Sequence, residues 1–326
     1  MANTTIEQVL KQCGILVIDG SMSTALERLG ADLNDSLWTA RVLAEQPELI
    51  ERVHLDYFRA GADCGITCSY QATIPGFLAR GYTTAEAEEL IRRSVRLFLK
   101  ARDKWWAEEG KGEGRCYPLC LAGVGPYGAY LADGSEFRGR YGTDRQTLYD
   151  FHRRRMELLW KEGPDLLLIE TQPSLEEALI EAEIAESLGA DYWISFSCRD
   201  GKHICEGTPI RECARVLCDG THPRLRMIGV NCTDPAWIVS LIRELKASAD
   251  LPVGVYPNSG QVYDPIAKTW SGAGGEADFG NYALRYMAAG ADAVGGCCTT
   301  TAEHIRLVAQ ARKRFLRMGR PKTICF

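Results

Sequence analysis

A short apolar run followed by an amphipathic stretch of helical period recurs eight times along this 326-residue chain, and no other feature restricts its fold as strongly. The runs are Ile15–Ile18, Ala62–Ser69, Cys116–Gly123, Asp165–Ile169, Asp191–Cys198, Met227–Cys232, Pro252–Tyr256 and Ala293–Cys298. Helical apolar spacing follows them, as at Leu49, Ile50, Val53, Tyr57 and Phe58 in Glu48–Ala60, which Gly61 ends. Strands that alternate with helices form a parallel sheet covered on both faces. Eight units without an extra strand at either end predict one α/β domain over residues 1–326, a single (β/α)8 TIM barrel. The competing open, doubly wound sheet calls for a phosphate-binding glycine fingerprint after its first strand, and none is present. Gly272-Ala273-Gly274-Gly275 follows no strand and reads as a mobile loop.

Composition narrows the class further. Apolar residues make up 46% and charged residues 25%, as in an ordinary globular protein. A core of this size needs no disulfide staples. The net charge of -5 carries no clustered basic surface for nucleic acid. Arg92 to Lys104 is basic, but Glu86, Glu88 and Glu89 flank it, as on a solvated helix face. Met1 to Cys13 lacks the apolar segment of a secretory signal, and no stretch reaches the ~18 apolar residues of a membrane span. Thirteen cysteines without a secretory signal then point to a reducing, cytoplasmic setting with free or metal-bound thiols.

In such a barrel the chemistry gathers where strands end and βα loops begin, at the C-terminal face. The polar strand ends are Asp19, Thr67, Glu170, Cys232, Asn258, Cys297 and Cys298. The last run ends in Gly295-Gly296-Cys297-Cys298. Successive side chains on a strand face opposite ways, so neighbouring thiols reach one ion only if the backbone turns. Gly295 and Gly296 permit that turn through positive φ and close approach. Cys232 ends the sixth run, and alternate strands contribute to one barrel layer, so all three thiols can face one centre. Three thiolates with no evident fourth ligand are the pattern of a catalytic Zn2+ site. On spacing alone each cysteine also suits a small buried core position. Cys198, His203 and Cys205 fit no standard zinc spacing, and Cys64, Cys68, Cys116 and Cys120 are expected in the core. His304 reads as a surface or packing residue. Residues 123–140 are long enough for a lid, or form a surface loop.

Together with Asp19-Gly20-Ser21-Met22 and Ile169-Glu170-Thr171, the motifs Gly229-Val230-Asn231-Cys232 and Gly295-Gly296-Cys297-Cys298 resemble the homocysteine S-methyltransferase family over nearly the whole chain. Asp35-Ser36-Leu37-Trp38, the stretch Gly125 to Ser135, and Tyr256-Pro257-Asn258-Ser259-Gly260 resemble the branch that uses S-methylmethionine. The resemblance implies a zinc enzyme of methionine biosynthesis with Cys232, Cys297 and Cys298 as ligands and catalytic centre. It implies that Asp19 and Glu170 hold the amino-acid part of homocysteine. Trp38 and Tyr127 are expected near the donor's onium charge, since cations favour ring faces. Asn231, Thr67, Asn258 and Ser259 complete the expected substrate contacts. Ala25, Thr299 and Ala302 depart from the common family pattern, and none is an expected ligand. S-adenosylmethionine is expected as a weaker donor, and betaine or selenocysteine as alternative substrates within the family. A zinc hydrolase on the same barrel is a further reading, but such sites favour His ligands, and none of the five histidines falls at a strand end. The expected partners are small molecules, not nucleic acid or membrane.

Overall fold

The computed structural model describes residues 5–34, 37–264, 269–271 and 276–319. In chain order the elements are α1 (Ile6–Cys13), β1 (Leu16–Val17), α2 (Met22–Arg28), α3 (Thr39–Glu45), α4 (Pro47–Ala60), β2 (Cys64–Ile66), α5 (Ile74–Ala79) and α6 (Thr84–Glu108). Next come β3 (Leu119–Val124), α7 (Tyr127–Leu131), α8 (Arg145–Lys161), β4 (Leu166–Gln172), α9 (Leu175–Leu188), β5 (Tyr192–Phe196), α10 (Ile210–Leu217) and β6 (Leu225–Asn231). The chain ends with α11 (Ile238–Lys246), β7 (Val253–Tyr256), α12 (Glu276–Ala289), β8 (Ala293–Val294) and α13 (Ala302–Arg317). All eight strands pair in parallel in the order β1-β8-β7-β6-β5-β4-β3-β2. A parallel bridge between Ile18 and Cys64 joins the two ends, so the sheet closes into the expected (β/α)8 barrel.

The strands separate two apolar layers. Outward side chains pack against the helices, while Leu16, Ile18, Leu121, Leu168, Trp193 and Met227 fill the barrel. Trp193 fits because β6 and β7 carry glycines beside it. A Cβ on Gly254 would lie 2.0 Å from the Trp193 ring. Ile6 and Val9 of α1 join the interior cluster with Leu119 and Leu166, the first residues of β3 and β4. Helix α1 thus covers the N-terminal end of the barrel and leaves the opposite end open for chemistry.

Several local expectations are corrected. Helix α1 was not foreseen, although Thr5 and Gln8 form its capping box. The last strand is two residues long rather than six, because the chain turns at Gly295. Val262–Asp264 and Thr269–Ser271 form an unforeseen antiparallel pair in the connection after β7. The glycine-rich segment 272–275, and Asp35 with Ser36, lie outside the described residues. Not all cysteines are free or metal-bound, since α1 carries Cys13 to Cys116 and the two form a disulfide. No described helix is long and apolar enough to cross a membrane.

Candidate active site and metal centre

The three thiols lie just beyond strand ends, where the backbone leaves the sheet. The turn after β8 works differently from the sequence expectation. Neither Gly295 nor Gly296 adopts positive φ. A Cβ on Gly295 would lie 2.5 Å from Ile18 Cβ, and one on Gly296 2.5 Å from Thr300 Oγ1, so close approach alone demands glycine there. Positive φ falls instead on Cys232 (49°), Thr299 (63°), Thr171 (59°) and Trp38 (46°), all near this mouth. A left-handed β-branched residue is uncommon and costs roughly 1–3 kcal/mol. Side-chain hydrogen bonds hold Thr171 there. Its N–H donates to Asn231 Oδ1 at 2.9 Å, and Asn231 Nδ2 donates to its hydroxyl at 2.7 Å. Ser259 and Thr299 share a hydrogen bond of 2.6 Å, and the Ser259 N–H donates to the Cys298 carbonyl, which fixes the thiol turn from behind.

The sulfurs of Cys232 and Cys298 are 3.3 Å apart and those of Cys297 and Cys298 4.0 Å. All three lie within 4.8 Å of one another. Metal–sulfur bonds of about 2.3 Å in a tetrahedral site put sulfurs about 3.8 Å apart. The donor set therefore fits a thiolate-loving ion with a fourth position left open. Hydrogen bonds from Cys232 and Cys298 push the Cys297 thiol well down, while the same contacts push Cys232 up.

Two carboxyl groups sit beside it. Asp19 Oδ2 accepts the Ile66 N–H at 2.9 Å. Asp19 Oδ1 is buried with no hydrogen-bond partner among the described residues. Glu170 receives the Tyr256 hydroxyl at 3.4 Å. Burial pushes both carboxyls well above their usual range, and the negative charge of Cys297 adds to this. At Asp19 the Ile66 hydrogen bond opposes the shift. A cation placed between them would restore their charge.

These groups open on one shared cavity at the mouth of the barrel. Of the expected contacts, Glu170, Thr67 and Trp38 line it together with the three cysteines. Asp19 does not line it but directly precedes Gly20, which does. Four further expected contacts do not line it either. The Asn231 amide is engaged by Thr171, and Ser259 by Thr299. Asn258 sits behind the thiol turn, where its N–H donates to the Thr233 carbonyl. Tyr127 packs on Tyr130, Tyr141 and Phe151 instead. Sequence reasoning missed Tyr70, Thr171, Tyr256, Met22, Glu136 and Phe137, which do line the cavity. Of these, Thr171 and Tyr256 stand inside the motifs quoted above, at or near strand ends, and could have been read as site groups. No Lys, Arg or His side chain lines it among the described residues. Cys198 is buried near Cys205, and His203 is turned to Asp200 at 3.0 Å, so that trio forms no site. His304 is an N-terminal cap partner of Thr301, as a packing residue.

The homocysteine S-methyltransferase family model matches residues 16–312. The chain belongs to this family. The methyltransferase is 48% identical to homocysteine S-methyltransferase YbgG of Bacillus subtilis over 93% of this chain and 96% of the relative. It is 43% identical to selenocysteine methyltransferase of Astragalus bisulcatus over 94% of this chain and 95% of the relative. The metallated crystal structure of homocysteine methyltransferase MmuM from Escherichia coli superposes with a TM-score of 0.81 at 42% identity, covering 91% of this chain and 96% of that one. A metal in that relative accords with the sulfur geometry of the methyltransferase described above.

Proposed function

We propose that this enzyme transfers a methyl group from S-methylmethionine to the thiol of homocysteine and forms methionine, with Zn2+ on Cys232, Cys297 and Cys298. The observation that carries the reading is three converging thiols in a cavity lined by carboxylates and aromatic rings and by no described cationic side chain. Such a lining suits a thiol acceptor and a cationic donor, and repels anionic donors. When bound, zinc deprotonates a coordinating thiol at neutral pH and so supplies the acceptor as a thiolate. Asp19 and Glu170 hold the acceptor's ammonium group, which explains a buried carboxylate oxygen on Asp19 that no group among the described residues satisfies. Tyr256 orients Glu170. Trp38 and Tyr70 present ring faces to the donor's onium charge. The new bond forms from the acceptor sulfur to the methyl carbon. The old S–CH3 bond breaks with its electron pair returning to the donor sulfur, which leaves as a neutral thioether.

The test supplies metal-loaded enzyme and homocysteine with S-methylmethionine, betaine or S-adenosylmethionine separately and measures the methionine formed. S-methylmethionine is expected to give the highest kcat/KM and S-adenosylmethionine a lower one. A higher kcat/KM with betaine overturns the donor assignment. The relative from Astragalus bisulcatus supports a second reading, with selenocysteine as acceptor. Substituting selenocysteine for homocysteine in the same assay separates the two. The reading includes action in the cytoplasm on free small molecules.

A further inference from the structure

We infer that Glu136, on the loop after β3, binds the α-ammonium group of the methyl donor and thereby selects amino-acid sulfonium donors. This rests on the donor reading above and deepens it. Both substrates are amino acids under that reading, so two ammonium groups must be neutralised in one cavity. Asp19 and Glu170 cannot serve both. The Asp19 carboxylate lies over Gly65 at β2 and that of Glu170 over Gly123 of the neighbouring β3, where a Cβ on either glycine would lie 2.8 Å from a carboxylate oxygen, so the two make a single ammonium site at the floor. Among the described residues lining the cavity, the remaining carboxylate is that of Glu136.

Its position in the fold suits a second subsite. In a closed barrel of eight strands, β3 stands opposite β7, and β6 and β8, which carry the thiols, flank β7. A group on the β3 loop therefore reaches the cavity from the side across from the thiols, where the donor's far end must lie if its methyl group points at the acceptor sulfur. Tyr70 lines the same cavity as Glu136. Burial first, and then the charges of Glu136, Cys232 and Glu170, push that phenol well up.

The backbone that carries Glu136 is built rather than loose. A Cβ on Gly128 would lie 2.5 Å from the Glu136 nitrogen, so the chain folds tightly back on the start of α7. The Ser197 hydroxyl donates to the Glu136 carbonyl at 3.3 Å. The Ser135 N–H donates to Asp133 at 2.9 Å. The loop is pinned at its start by the Tyr127 N–H and at its end by the Tyr141 hydroxyl, which donate to the two oxygens of Glu177 at 2.5 and 2.7 Å.

The experiment compares wild type, Glu136→Gln and Glu136→Asp, all metal-loaded, in steady-state kinetics with both substrates varied. Glu136→Gln is expected to raise KM for S-methylmethionine at least about tenfold, as loss of a charge-assisted hydrogen bond does. KM for homocysteine and metal content should stay within about twofold, a split that general loss of structure would not produce. Glu136→Asp should recover part of the loss. An unchanged donor KM in Glu136→Gln, or equal rises in both KM values, overturns the assignment. A second probe is 3-(dimethylsulfonio)propionate as inhibitor, since it keeps sulfonium and carboxylate but lacks the α-ammonium group. Its failure to inhibit wild type, or equal inhibition of wild type and Glu136→Gln, supports the proposal. Weaker inhibition of Glu136→Gln would put the carboxylate on the sulfonium and overturn it. The wild-type arm keeps the two readings apart. Activity with S-methylmethionine leaves the donor reading standing whatever Glu136→Gln does. Activity with betaine alone removes both, because its quaternary nitrogen carries no N–H to donate to the Glu136 carboxylate.

Discussion

At the residue scale, the chemistry resides in three sulfurs whose distances are set by turns rather than by strands. Cys232→Ser, Cys297→Ser and Cys298→Ser should each lose most bound metal while the far-ultraviolet circular dichroism stays that of the wild type, because Cys232 and Cys298 lie outside the packed core layers and Cys297 only borders the interior cluster. Metal analysis after gel filtration checks this, and full metal content in any one variant removes that residue from the site. The trio was legible in the sequence because thiolate chemistry belongs to the side chain itself and strand ends in a parallel barrel share one mouth. The backbone that aims it was not. Glycines were expected to take the positive φ, yet Cys232, Thr171 and Thr299 take it. Such strain is imposed by neighbours, here the Asn231 amide, and no local propensity announces it. Asn231→Ala should therefore lower stability by about 1–3 kcal/mol, since it leaves the buried Thr171 N–H without its acceptor. Urea denaturation of both proteins measures this, and an unchanged midpoint would show that Thr171 holds its conformation unaided.

At the element scale, the barrel strands and their helices followed from the apolar periods, while short elements inside the loops did not. Helices α5 and α7 are six and five residues long, too short for a hydrophobic period to appear. The loop after β3 is fixed by a buried network between α8 and α9 that sequence reasoning passed over. His152 and Glu177, fully buried, are 2.9 Å apart, and Arg155 donates to the Gly125 carbonyl. Burial pushes His152 down to about 4 and Arg155 down to about 10. Although His152, Glu177 and Glu181 lie close enough to hold an ion, the guanidinium among them already supplies the positive charge. Breaking one partner of such a cluster leaves the rest buried and unpaired. Glu177→Ala should cost about 3–5 kcal/mol and raise the KM of the donor more than that of homocysteine, because Glu136 rides on the loop it pins. Thermal denaturation and the two KM values test this, and a loss of stability with unchanged KM values would separate the network from the site.

At the scale of the whole molecule, the stability of the barrel should depend on pH through groups far from the mouth. His54 of α4 lies against Phe98 of α6, ring edge to face at 4.8 Å. Neither ring nitrogen has a hydrogen-bond partner among the described residues, and burial pushes the imidazole down to about 3. The unfolded chain takes up this proton near pH 6.5. The folded chain refuses it until about 3. Between those values the unfolded state binds more protons, so stability rises with pH there. The contribution is complete above 6.5 and is lost as pH falls toward 3. Asp19 and Glu170 act in the opposite sense. Their raised folded values mean that the folded state without ligand holds protons the unfolded state has released, so their contribution falls as pH rises above about 4. The observed profile is a sum, and the His54 part is isolated by difference. Urea denaturation of wild type and His54→Leu at several pH values between 4.5 and 7.5 should give curves that diverge below 6.5, the wild type losing about 1.4 kcal/mol more per pH unit. Parallel curves through that window would mean that His54 is protonated in the folded barrel, and the packing of α4 on α6 would then have to accommodate a charge.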